Sequence, residues 1–143
     1  MKTSIASALL FAAALAAPAH AAFTLNCKTQ VSDSGRERPF PAQWTWDGVA
    51  LINTTTSPTQ GEQIQRFKPA HFEKSTDGRA VTNTSYAFVI MALPNGTRIA
   101  LTLHTSGSGK DLSTTETFGM VSGHGAILNA SQNKYRNCSI RES

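Results

Sequence analysis

The segment 79–105, RAVTNTSYAFVIMALPNGTRIALTLHT, restricts the fold more than any other. In it, two alternating apolar runs flank the turn signal Pro94-Asn95-Gly96. A period of two sends successive side chains to opposite sides of an extended backbone, so the stretch reads as a β-hairpin. The proline decides the kind of turn. A two-residue Asn-Gly loop would put Pro94 where a backbone N–H must close the turn, and proline has none. Pro94 fits better at the second position of a type I turn, with Gly96 as the left-handed residue of a bulge and a loop of three residues. Counting outward, Leu93 pairs with Thr97, Met91 with Ile99, Val89 with Leu101 and Ala87 with Leu103, an apolar face expected to be core. The other face carries Tyr86, Phe88, Ile90 and Ala92 against Arg98, Ala100, Thr102 and His104, too apolar for an ordinary wet surface.

Shorter alternations surround this hairpin. Residues 23–31 put Phe23, Leu25, Cys27 and Val31 on one face and Thr24, Asn26, Lys28 and Gln30 on the other. Residues 43–53 read as a hairpin about Asp47-Gly48, with Trp46 opposite Val49 and Trp44 opposite Leu51, so that both indoles share a core face. Between 57 and 68 two readings compete. Ser57-Pro58-Thr59-Gln60 matches a helix cap, but Ile64 and Phe67 are too few apolar residues to hold a helix down, which favours a strand over 63–68. Pro69 breaks it, 71–74 is a short continuation, and Asp77-Gly78 turns the chain into the central hairpin. A flexible Gly/Ser loop follows at 106–110, then strands at 114–121, 126–129 and 134–141, with Gly123-His124-Gly125 between the first two. The sum is an all-β, single-domain antiparallel β-barrel or sandwich of about eight short strands with little helix.

The start of the chain reads as an export signal. Met1 and Lys2 are followed by an uncharged apolar run over 5–17 and by the small-x-small site Ala19-His20-Ala21, the three parts of a secretory signal peptide covering 1–21. The run is too short to span a bilayer comfortably, so no stable membrane anchor is expected, and no cysteine stands at the cleavage point to take a lipid. The alanine-rich leader points to a bacterial periplasm or the cell exterior. Cleavage leaves one domain, 22–143, with twelve Lys and Arg against nine Asp and Glu. The excess is small and scattered, without a basic stripe interleaved with aromatics, and no nucleic acid partner is expected.

Only two cysteines occur, one near each end of this domain. In an oxidising compartment Cys27 and Cys138 are expected to form a disulfide rather than stay as two buried thiols. The bond demands that the first and last strands lie side by side, because bridged Cα atoms approach within about 7 Å.

No catalytic or cofactor signature emerges. His71, His104 and His124 are not paired at metal-ligand spacing with each other or with Cys or carboxylates, so neither metal nor cofactor is expected. Gly107-Ser108-Gly109-Lys110 lacks the upstream glycine and following hydroxyl of a phosphate loop, and Ser122-Gly123 does not complete a nucleophile elbow. Asp33, Asp47, Asp77 and Asp111 sit beside turn residues, where aspartate bonds its own backbone.

Three functions fit what is left. The first is a non-enzymatic binding protein for a hydrophobic small molecule or a protein partner. In the small-molecule case Tyr86, Phe88 and Ile90 would line the ligand while Thr102 and His104 fix its orientation. The alternative for that face is burial under another sheet or loop. The second is an enzyme inhibitor or toxin-immunity protein acting through an exposed loop. The aromatic-x-x-x-Cys start (Phe23 to Cys27) and Asn137-Cys138 near the end resemble the layout of periplasmic inhibitors of c-type lysozyme. Their Ser-Gly-x-Arg/Lys-Tyr loop has no counterpart, since His124-Gly125-Ala126 follows Ser122-Gly123, and a basic chain suits a basic lysozyme poorly. The third is a small hydrolase using His124 or His104.

Overall fold

The structure is a computed structural model that describes residues 22–77, 82–108 and 111–143; the leader segment 1–21, Gly78 of the Asp77-Gly78 turn and the Gly109-Lys110 pair lie outside them. The described residues form nine strands and no helix: β1 Phe23–Val31, β2 Glu37–Trp46, β3 Leu51–Ser57, β4 Gly61–Phe67, β5 His71–Asp77, β6 Thr82–Ala92, β7 Arg98–Ser108, β8 Asp111–Val121 and β9 Ile127–Glu142. They make one antiparallel sheet in the order β4-β3-β2-β1-β9-β8-β7-β6-β5. The segment after Pro58 is therefore strand, as its shortage of apolar residues implied.

This order forces the sheet to roll. β4 and β5 are its two edges, and in a flat sheet eight inter-strand steps would set them about 38 Å apart. From Phe67 to His71 the chain spans at most about 15 Å. The end of β4 must then meet the start of β5 at the break around Pro69. Ring contacts across the roll follow: Trp46 of β2 lies 5.2 Å from Phe72 of β5 and 5.1 Å from Phe88 of β6, and Phe67 of β4 lies 6.3 Å from Phe118 of β8. The hydrogen-bonded ladder stays open between β4 and β5, so the sheet curls without closing as a barrel.

Aromatic side chains fill the interior of the roll. Phe23 stacks within 4.3 Å of Tyr86, Phe72 within 4.8 Å of Phe88, and Trp44 meets Tyr135 edge-on at 5.1 Å; Leu25, Leu51, Leu101 and Leu103 complete the core. Both tryptophans are buried on one face. Where the chain's first and last strands adjoin, Cys27 and Cys138 stand directly opposite and form a disulfide, with Cα atoms 4.0 Å apart. The Thr114 hydroxyl of β8 lies 3.6 Å from the Cys27 sulfur.

Strand registers depart from simple alternation at four places, each with a local cause. The 93–97 turn forms as its proline dictates, with Gly96 N donating to Leu93 O at 3.0 Å and Gly96 at φ 86°. Beyond it the extra residue Ile90 interrupts the ladder, so Val89 faces Ala100 rather than Leu101, and Phe88 and Tyr86 take the places opposite Leu101 and Leu103. The bulge sends Tyr86 and Phe88 into the core and turns Ala87 and Val89 away from it. On β1 an irregularity at Lys28, opposite the left-handed Asn137 of β9, brings Gln30 inward where Val31 was expected. The Asp47 loop is longer than two residues: its carboxylate accepts from Val49 N and Ala50 N, both at 2.8 Å, and Trp46 pairs with Leu51 and Trp44 with Asn53. Those backbone donors hold the Asp47 carboxyl below its usual range. Finally, the strands expected at 126–129 and 134–141 are one long β9, and the expected Gly/Ser loop is largely strand, since β7 runs to Ser108 and β8 starts at Asp111.

Candidate functional site

Three hairpin loops at one end of the strands share a single design. In 32–36, 93–97 and 122–126 the first residue accepts a hydrogen bond from the fourth, always a glycine at positive φ, and donates to the fifth: Ser32 N to Arg36 O at 2.8 Å, Leu93 N to Thr97 O at 2.7 Å, and Ser122 N to Ala126 O at 2.8 Å. Side chains add further ties. Asn95 Oδ1 accepts from Thr97 N at 3.0 Å, and Ser122 Oγ accepts from His124 N at 3.2 Å and Ala126 N at 3.1 Å. Loops 93–97 and 122–126 touch backbone to backbone, since a Cβ on Gly96 would sit 3.5 Å from Gly123 Cα. The tip of the β6–β9 region is thus fixed by its own polar groups.

Beneath that tip β9 runs on past the end of β1, while β8 stays paired with β7 along its whole length. β1 ends at Val31, opposite Lys134, so residues 127–133 have β8 as their only strand partner. Both faces of this half of β9 are exposed. It nonetheless carries large apolar side chains, with Ile127 71 % and Leu128 57 % exposed, next to Phe118 and Met120 of β8. Leu128 is the extra residue of a bulge between Val121 and Met120. Met91 lies in the same cross-strand row as Ile99 and Met120 and is 50 % exposed. Among the described residues Ile127 and Leu128 are left largely uncovered, while Phe118 keeps a ring contact with Phe67 at 6.3 Å.

The residues singled out from the sequence as a ligand site do not come together. Tyr86 and Phe88 belong to the packed interior and Ile90 packs against it, whereas Thr102 and His104 pair with Ala87 and Ser85 on the outer face. The Tyr86 hydroxyl donates to Glu142 Oε2 at 3.2 Å. Burial first, and the Glu142 charge second, push its pKa well above the ordinary phenol value. His104 Nδ1 and Ser85 Oγ are 2.9 Å apart. No carboxylate among the described residues orients that ring, which leaves the pair a cross-strand hydrogen bond and not the core of a triad. His71 lies 3.6 Å from Glu73 on β5, and His124 stands exposed at the tip. Among the described residues no three of His, Cys, Asp and Glu gather as a metal-ligand set.

The exposed apolar residues Ile127, Leu128, Phe118 and Met120 stand in the sequence, but alternation alone marks such residues as core. For Ile127 and Leu128 what reveals the exposure is length: β9 is longer than β1, its neighbour, and residues 127–133 lie beyond the end of β1. Compared with known proteins, the chain matches no family model, no curated protein and no solved structure.

Proposed function

We propose that the chain is an exported, non-enzymatic binding protein of the bacterial periplasm that engages a protein partner through the loop end of the β8–β9 hairpin, where β9 extends beyond β1. The observation that carries this reading is the pairing of exposed large apolar side chains, Ile127 and Leu128 foremost, with a backbone already fixed by the loops 93–97 and 122–126. Each such side chain is worth about 1.5–3 kcal/mol when fully buried, and a pre-ordered loop loses little freedom on docking. Exposed apolar clusters of this kind mark interaction sites. The aromatic filling of the roll argues for a surface partner over a hydrophobic ligand held between Tyr86 and Phe88. Export rests on the leader motif at 1–21 and agrees with the Cys27–Cys138 disulfide. An enzyme whose cleft received loop 122–126 would be inhibited by it.

The test compares immobilised 22–143 protein with an Ile127→Asp/Leu128→Asp variant, both incubated with periplasmic extract of the source bacterium. Both positions are exposed, so the substitutions leave the core untouched. The reading expects a stoichiometric protein on the unsubstituted domain that the variant fails to retain. Equal retention by both, or none by either, overturns it.

A further inference from the structure

A second feature, independent of the apolar tip, lies where loop 32–36 leans over β9. The two enclose an open cleft of about 640 Å³ lined mainly by polar residues. Three cations line it, Arg38 from β2 and Lys134 and Arg136 from β9, against one carboxylate, Asp33. Arg136 is compensated by Glu37 at 3.3 Å. Neither Arg38 nor Lys134 has a carboxylate partner among the described residues.

Arg38 is also held in place. Its Nε donates to Gln30 Oε1 at 3.0 Å and its Nη2 donates to the same oxygen, while the guanidinium carbon sits 5.2 Å over the Phe40 ring. Gln30 is itself buried and stands opposite the buried Tyr135 in the β1–β9 pairing. This fork uses two of the five guanidinium N–H groups and leaves three. A cation aligned by a buried neutral amide keeps its full charge for an incoming anion, and a planar fork suits carboxylate or phosphate oxygens.

An apolar ligand in this cleft would strip water from uncompensated charge, and a cation would be repelled. A hydroxyl-rich body could in turn donate to the Asp33 carboxylate. We propose that the cleft between loop 32–36 and β9 binds an acidic saccharide, whose carboxylate or phosphate accepts hydrogen bonds from Arg38 while Lys134 supplies the second charge.

The test uses oxidised 22–143 protein at low ionic strength, with binding read by calorimetry and by amide resonance shifts. The probes are trigalacturonate, glucose 6-phosphate, neutral maltotriose and inorganic phosphate. The expected result is that one or both acidic sugars shift residues 30–38 and 132–136 and bind at least about tenfold tighter than maltotriose or inorganic phosphate; which sugar binds tighter decides between carboxylate and phosphate. Arg38→Gln weakens that binding by about tenfold or more, the loss expected for a charged hydrogen bond, whereas Arg98→Gln, an exposed cation outside the cleft, leaves it unchanged. Should Arg38→Gln lose its fold, the exposed Lys134→Gln serves in its place. No shift with either acidic sugar, equal binding of maltotriose or free phosphate, or equal weakening by Arg98→Gln overturns the proposal. The Ile127→Asp/Leu128→Asp variant retains saccharide binding, so the two sites fail or stand separately.

Discussion

Tyr86 and Tyr135 are the only tyrosines of the chain, and both are buried. Burial pushes the Tyr135 hydroxyl up to about 12, the nearby Glu116 carboxylate adding to the effect; Tyr86 is raised further by burial and by Glu142. A phenol in the unfolded chain ionises near pH 10. Because the folded-state values lie above that, the stability these groups contribute is complete below about pH 10 and is lost as pH rises through the folded values. The expected outcome of an alkaline titration is a phenolate absorbance that stays flat to about pH 10 and then rises together with loss of the near-ultraviolet circular dichroism. A gradual rise centred near pH 10 with the dichroism intact would mean that at least one ring is open to solvent. Neither role was legible beforehand: Tyr86 lay on the face assigned to a ligand, and Tyr135 was merely one residue of a predicted strand.

At the level of strands, alternation located the elements well and their faces less well. β1 was placed at its observed ends, and the 93–97 turn followed from one missing N–H. Faces failed where a single residue breaks the period, because a one-residue slip exchanges inside for outside along the rest of a strand. Ile90 does this on β6, and the kink shared by Lys28 and Asn137 does it on β1 and β9. Nothing in the side-chain pattern announces Ile90 as a bulge; the need to bring Tyr86 and Phe88 against Phe23 and Trp46 decides it. The candidate site suffered the same loss, since its five residues were grouped by parity and the bulge splits them. Close packing between strands is equally silent in the sequence. Gly119 faces Ala130, and a Cβ there would fall 2.1 Å from Asn129 O and 2.7 Å from Ala130 Cα, both backbone atoms. Gly119→Ala therefore has to part β8 from β9 beyond the end of β1, where β9 has no other strand beside it. Overpacking of this kind costs about 1–3 kcal/mol, and the expected outcome is a melting temperature lowered by several degrees with faster hydrogen exchange at residues 129–131. An unchanged melt and unchanged exchange would show that the two strands have slack there.

For the whole molecule, the two cysteines constrain the most with the fewest residues. Two residues near the chain ends implied that first and last strands adjoin, and β1 and β9 are neighbours at the middle of the sheet, bridged across one register pair. The cysteines say nothing of the break at Pro69, where the roll is held by ring packing and not by a ladder. The molecule thus has one covalent seam and one loose seam on the two sides of its aromatic core. Cutting the covalent seam returns the freedom of a loop of 111 residues to the unfolded chain, worth up to about 4.7 kcal/mol on the chain-entropy model. The β1–β9 ladder remains to hold the native topology, so the Cys27→Ala/Cys138→Ala variant is expected to fold with the same all-β dichroism. Its melting temperature should fall by roughly 10–20 °C, and chemical reduction of the native protein should produce the same drop. Equal melting of oxidised and reduced protein would mean that the unfolded chain gains no freedom when the bridge is cut, and the two-seam description of the fold would have to be given up.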